Sequence, residues 1–534
     1  MPASICLRMV GRRLLVSIVA ALALGLPGAG SAAPGLIVGV SDDYLKTEPA
    51  RAAAAIQSLG FSAVRLTLDW SAGQSTLDPN AQAALQTALG AAGGLRVVVA
   101  VYSRTSTPVT EPDRESYCSY LRSIVTAFPQ VNDVVVWNEV NKSTFWRPQF
   151  AADGSSAAPR DYARLLARCY EVLHAARPGI NVIHAGLSST GNDRPGADSN
   201  VSHSPGNFLR QEGEALRTEL AGKRLFDTLG LHPYGENSAE PPWKQHDASS
   251  TIAIGDWGKL MQVLKDAFAG TAQPYPGDGA GRVQSGGEET QIWYLETGFQ
   301  TAPSGSASGL YTGSETDQHA LAAGPDAARA VAATATEAAP TQGSQLVAGI
   351  RRAYCQPYVG AYFNFLLRDE RDLGKWQSAP LWADWTPKPS AASLQQVIAE
   401  VRERRVDCAS LAGGPVEQLQ VRSDVEIKRV EWPKAASFNW RHDLWRFRIQ
   451  AAEPATYTAA LVRVAPAAGA RAAAVTPVLK TSGELRKLFF SIVKFPRKQL
   501  EAGRYRMEIT LTSTESAARR TTLRGPAFVV RGRS

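Results

Sequence analysis

Two glutamates stand where apolar runs end. Glu139 closes Val134-Val135-Val136-Trp137-Asn138-Glu139, and Glu296 closes Ile292-Trp293-Tyr294-Leu295-Glu296, with no turn residue before either carboxylate. A carboxylate so placed either faces an open mouth or carries an uncompensated desolvation cost. The structural alternative is that each sits in a salt bridge below the mouth. Two facing carboxylates suit glycosidic bond cleavage. One protonates the departing oxygen while the other attacks the anomeric carbon, and a spacing of about 5–5.5 Å gives retention through a glycosyl-enzyme. The neighbours fit that chemistry. Asn138 can donate to a sugar 2-hydroxyl. Arg65, in Val64-Arg65-Leu66-Thr67-Leu68-Asp69-Trp70, can hydrogen-bond the second carboxylate and keep it ionised. His232 and Tyr234, in Leu231-His232-Pro233-Tyr234, can orient that carboxylate and the sugar. Taken singly, His232 reads as a core histidine, so it counts only within the set.

These residues need strands that end at one mouth. Apolar runs at 36–40, 63–68, 95–101, 134–137, 182–185, 228–231, 292–295 and 361–366 alternate with helical patterns, the seventh of them near 316–338. Eight strand–helix units spell an α/β fold of the (β/α)8 TIM barrel type. Near-continuous runs such as Val97-Val98-Val99 fit a sheet buried on both faces. A doubly wound sheet fits less well, because no Gly-rich phosphate loop follows the first strand. Long Gly-, Ser- and Pro-rich stretches at 186–206, 232–252 and about 297–315 follow strands, which places them on the catalytic face of a barrel.

The ordered set — Arg on strand two, Asn-Glu after strand four, His-x-Tyr at strand six, Glu ending strand seven — resembles the retaining glycoside hydrolases of clan A. The likeness is to the cellulase-like family five and its family thirty-nine relatives. It covers residues 35–405 in architecture and four short motifs in sequence. The resemblance implies Glu139 as acid/base, Glu296 as nucleophile and no cofactor. It departs at strand eight, where such enzymes often place a tryptophan beneath the reacting sugar. Here Tyr362-Phe363-Asn364-Phe365 stands instead, and Trp376, Trp382 or Trp385 in the next loop must substitute, with Trp376 taken as the substrate-binding residue.

Length and composition agree with an exported enzyme. The chain has 534 residues, 44% hydrophobic and 20% charged, which excludes collagen-like, coiled-coil and wholly disordered classes. Arg8, Arg12 and Arg13 precede an apolar run from Leu14 to Leu26 and small residues at 28–33. This reads as a signal peptide over 1–33, hence a secreted protein with no membrane attachment after cleavage. The run is short for a bilayer span. Four cysteines remain, and barrel adjacency predicts Cys118 with Cys169 and Cys355 with Cys408, four free thiols being the alternative. No CxxC or HExxH occurs, so no metal site is expected from sequence neighbours.

The catalytic barrel is placed at 34–408 and a linker at 409–415. Short alternating runs over 416–534 read as an immunoglobulin-like β-sandwich. From residue 415 on there are 22 Lys and Arg against 10 Asp and Glu, while the whole chain carries only +8. The basic residues alternate with apolar ones as on exposed strand faces, so a nucleic-acid partner is not expected. Trp432, Trp440 and Trp445 are expected in the core or in inter-domain packing, a sugar-stacking platform being the alternative, and the basic sandwich is expected to dock on the acidic barrel through a packed apolar face with complementary charge. Two other functions are open to the same barrel: a non-catalytic carbohydrate-binding or cell-wall protein, and a transglycosylase. The partner in every case is a polysaccharide or oligosaccharide.

Overall fold

A computed structural model describes residues 35–278, 290–324, 339–417, 421–432, 446–464, 477–496, 500–516 and 519–530. The expected signal peptide, Trp440, Trp445 and part of the expected seventh helix lie outside these residues.

Eight parallel strands close a barrel. They are β1 (Ile37–Ser41), β2 (Ala63–Asp69), β3 (Arg96–Tyr102), β4 (Asp133–Val136), β5 (Asn181–His184, extended by Leu187–Ser188), β6 (Thr228–His232), β7 (Gln291–Thr297) and β8 (Val359–Phe365). Each pairs with its sequence neighbours, and β8 closes the ring on β1, with Val38 opposite Tyr362 and Val40 opposite Asn364. Helices follow the strands: α1 (Pro49–Leu59), α2 (Pro79–Ala92), α3 (Glu111–Ala127), α4 (Ala158–Ala176), α5 (Pro205–Thr218), α6 (Trp257–Phe268), α7 (Gln342–Cys355) and α8 (Ser390–Arg402).

Local chemistry starts these helices. Proline occupies the first or second position of α1 to α5, where a missing N–H costs nothing. The Asp78 carboxylate accepts from the N–H groups of Asn80 and Ala81 to cap α2, and Thr110 caps α3. Two apolar layers then hold the ring. Ala63, Val98, Ala100, Val135, Ile183, Trp293, Leu295, Ala361 and Phe363 fill the lumen. A larger layer packs the outer strand faces against the helices. Gly39 is needed inside, since a Cβ there would meet the Phe363 ring at 2.6 Å.

The seventh helix differs from expectation. Residues 316–324 are not helical, and α7 begins at Gln342 behind a Thr341 cap that accepts from the Ser344 N–H. Alanine content suggested the earlier segment, but the apolar stripe of Leu346, Val347, Ile350 and Ala353 is what packs on the barrel. Both expected disulfides form. Cys118 on α3 joins Cys169 on α4, and Cys355 at the end of α7 joins Cys408.

After the barrel, the chain builds two antiparallel sheets. One holds β9 (Ile427–Glu431), β10 (Arg446–Ala451) and β13 (Ser491–Lys494). The other holds β11 (Ala455–Arg463), β12 (Pro477–Leu485), β14 (Gly503–Ser513), β15 (Arg520–Arg524) and β16 (Phe528–Val530). Phe447, Ile449 and Val493 from the first share one core with Leu461, Ile509 and Leu511 from the second.

Of the two packing roles expected for the tryptophans, Trp432 takes the core one. Trp432 packs on Phe447 within the C-terminal sheets, at 4.7 Å between ring centroids. The contacts with the barrel combine Val416 and Val421, which pack against its apolar core, with a set of polar pairs. Arg519 bridges Asp266 and Glu453, Arg210 meets Glu515 at 3.4 Å, and Gln262 exchanges two hydrogen bonds with the Arg422 backbone.

Candidate active site

The C-terminal ends of the strands surround a cleft of about 830 Å³. Arg65, Asn138, Glu139, Tyr234, Glu296 and Trp376 line it, and His232 lies fully buried directly beneath. The structure therefore brings together all seven residues singled out in the sequence.

Arg65, on β2, is almost fully buried and organises the floor. Its Nη1 donates to Glu296 Oε1 at 2.7 Å and to Ser41 Oγ at 2.9 Å, and its Nη2 donates to Asn138 Oδ1 at 2.8 Å. The contact turns the Asn138 amide NH2 away from the guanidinium and leaves it free to donate to a ligand. The other carboxylate rests on His232, whose Nδ1 lies 3.0 Å from Glu139 Oε1 and 3.6 Å from Glu296 Oε2. One ring nitrogen thus spans both acids.

Glu139 reaches this position on an unusual backbone. Trp137 and Glu139 take positive φ values of 78° and 35°, a region that costs non-glycine residues about 1–3 kcal/mol each. Packing over-determines the bend. The Trp137 N–H donates to Val101 O and to the Tyr117 hydroxyl, its indole N–H donates to Phe145 O, and Tyr117, Trp146 and Trp70 box the ring. The Glu139 N–H then donates to Gly186 O at 3.1 Å.

Gly186 keeps the pair in register. A Cβ at this position would stand 1.9 Å from His232 Nε2. Gly186→Ala should therefore push the imidazole off both carboxylates. The expected result is a folded chain whose turnover, once a substrate is in hand, falls by at least about ten-fold with a smaller change in KM. Unchanged kcat would remove His232 from the positioning set.

Tyr234 sits beside the pair with a buried hydroxyl that has no hydrogen-bond partner among the described residues. Its pKa lies well above the usual phenol range because of burial first, and then because of the negative charges of Glu296 and Glu139. It stays protonated and can donate. Trp376 supplies the aromatic wall that strand eight lacks. Its ring stands 5.3 Å from those of Tyr234 and Phe365, and it is 37% exposed, enough to meet a sugar face. At the strand-eight position, Asn364 instead donates to the Phe365, Leu366 and Ser378 carbonyls and holds that loop in place.

The sequence reading missed several wall residues: Asp42, Tyr102, Arg104, Glu236 and Arg368. Asp42 is the most perturbed. Burial pushes its carboxyl up to about 7, against backbone N–H groups of Leu367 and Tyr44 that pull it down. The signal available was position, since Asp42 directly follows β1 and Tyr102 ends β3.

The sequence matches no protein-family model and no curated protein. The fold is similar to solved structures at low identity. The GH5_18 protein of Streptomyces cattleya, solved with GlcNAc, is 14% identical with a TM-score of 0.43, over 70% of this chain and 81% of that one. An exo-beta-1,4-mannosidase from an Opitutaceae bacterium is 12% identical with a TM-score of 0.40, over 72% and 63%. A glucosidase from Croceicoccus marinus is 12% identical with a TM-score of 0.41, over 87% and 95%.

Proposed function

We propose that the chain is a secreted retaining glycoside hydrolase that cleaves β-linked glycans by double displacement. The observation that carries this reading is the asymmetry of the acid pair. Glu296 is held by the Arg65 guanidinium, whereas Glu139 has the His232 ring as its one ion-pair partner among the described residues. A carboxylate clamped by a cation suits a nucleophile that must stay ionised. A carboxylate with no Lys or Arg in ion-pair contact suits a group that hands over a proton. The shared His232 nitrogen, at 3.0 and 3.6 Å, draws both carboxylates to one side chain, in keeping with the closely spaced pair that retention uses.

In the first step Glu296 attacks the anomeric carbon while Glu139 protonates the leaving oxygen. In the second, Glu139 takes a proton from water as that water displaces Glu296. The Asn138 amide donates to the sugar 2-hydroxyl, and the Tyr234 hydroxyl donates to the nucleophile carboxylate or the ring oxygen. Trp376 stacks on the sugar. No step calls for a cofactor. On this reading residues 1–33 are a cleaved export signal, 34–408 the catalytic barrel and 416–534 a docked sandwich. The described residues contain no helix long and apolar enough to cross a membrane.

The test is a panel of β-linked polysaccharides and aryl glycosides, run with the mature chain and a Glu139→Gln/Glu296→Gln double variant. Hydrolysis of at least one glycan by the first and none by the second is expected. Binding of a glycan without turnover would favour the carbohydrate-binding alternative.

A further inference from the structure

The loop that follows Tyr234 carries Glu236, Glu240 and His246, whose ligand atoms all lie within 4.8 Å of one another. We propose that these three residues bind a divalent cation of the zinc class at the rim of the cleft. The proposal does not depend on the glycosidase reading.

The histidine is the key. His246 is 5% exposed, and its Nδ1 lies 2.7 Å from Asp256 Oδ2. Asp256 also receives the His246 N–H, the Ala253 N–H and the Lys259 ammonium, so it acts only as an acceptor here. The Nδ1 proton is thereby fixed, and the lone pair of a neutral imidazole falls on Nε2. That nitrogen is buried and has no hydrogen-bond partner, although Glu240 Oε1 lies within 2.8 Å at an unsuitable angle. Glu236 Oε1 faces the same nitrogen at 4.0 Å. A lone pair set against two carboxylate oxygens is repulsive unless a cation stands among them.

The remaining geometry suits that cation. Lys244 binds Glu240 Oε2 at 2.7 Å and lies 3.9 Å from Glu236 Oε2, so it occupies the outer oxygens, while each inner oxygen accepts one long hydrogen bond of 3.4 Å, from the Glu236 N–H to Glu240 Oε1 and from the Thr251 hydroxyl to Glu236 Oε1, and keeps a lone pair for the metal. Ligands bound at about 2.0–2.2 Å stand about 3 Å apart, which Glu240 and His246 already satisfy. Glu236, with its side chain 46% exposed, has only to swing in by about an ångström. One nitrogen and two carboxylates favour a borderline metal over a hard one, and water would complete the coordination. The Asp256–His246 contact is the outer-shell support that metal-bound histidines require. Because Glu236 also lines the cleft, the ion would pin the loop that presents Tyr234.

The experiment is calorimetric titration of the full, untagged, chelator-treated chain with Zn²⁺, with Ca²⁺ and Mn²⁺ in parallel. One Zn²⁺ per chain is expected, bound more tightly than Ca²⁺ or Mn²⁺. His246→Ala should weaken it by at least about 100-fold, and Glu236→Gln, a change at a half-exposed position that leaves the fold intact, by about ten-fold or more. Circular dichroism establishes that each variant is folded. No stoichiometric uptake by the folded wild-type chain would overturn the proposal and leave an imidazolium–carboxylate pair in its place. Uptake unchanged in both variants would overturn it as adventitious binding at other histidines, and tighter binding of Ca²⁺ than Zn²⁺ would overturn the assigned metal class.

Discussion

Glu296→Gln should abolish turnover, by at least about 10³-fold in kcat, while the chain stays folded. The amide keeps an oxygen for Arg65 to donate to, so the buried guanidinium is not left without a partner. It cannot form the glycosyl ester. Glu296→Ala goes further, because it opens space beside a buried cation and breaks a pair whose loss costs about 3–5 kcal/mol. Such a hole admits a small anion. Azide should therefore restore part of the activity of Glu296→Ala on an aryl glycoside and yield a glycosyl azide of opposite anomeric configuration to the substrate. If Glu296→Gln retained near wild-type kcat, the nucleophile would have to be another residue.

Glu139→Gln should behave differently because the role proposed for Glu139 is proton transfer. Loss of a general acid costs about 10²–10⁴-fold, but only where the leaving group needs a proton. The decrease should be large for a natural glycan and slight in the glycosylation of an activated dinitrophenyl glycoside. With that substrate the glycosyl-enzyme should accumulate, because the second step still needs a base, and a burst of phenolate should precede slow turnover. Equal loss on both substrates would mean that Glu139 acts through position or charge instead. The two variants together therefore separate the roles that Arg65 and His232 assign.

How much of this could be read from the chain varies with the kind of signal. The barrel was legible because its strands are apolar on both faces, and the carboxylates at 139 and 296 stand out by ending two such runs. Asn138, Arg65, His232 and Tyr234 were legible only as an ordered set. The disulfides followed from the order of the helices, since α3 and α4 must be neighbours in a ring. Other features have no local period. Asp42, Tyr102, Arg104 and Arg368 come from three separate strand ends and converge only when the barrel closes. The helix expected near 316–338 rested on alanine propensity, yet residues 316–324 are not helical and the capped, amphipathic segment from Gln342 forms α7. His246 and its two glutamates follow no familiar metal spacing, because the loop, and not a helix or knuckle, turns them toward one another.

The docking of the C-terminal sheets shows the same limit. Alternation of basic and apolar residues gave strand faces, but not which charged tip meets the barrel. Arg519, 5% exposed, ends between Asp266, Glu453 and Glu515, a network drawn from both parts of the chain. Charge sign alone cannot specify that geometry; side-chain reach does.

The central claim is that Glu139 and Glu296 act as a retaining pair. Proton NMR of the first-formed sugar, recorded before mutarotation, tests it most directly on whichever β-linked substrate the panel identifies. The account predicts that the β-anomer appears first and relaxes to the equilibrium mixture. Initial release of the α-anomer would mean direct displacement by water, and would contradict both the covalent role of Glu296 and the double displacement.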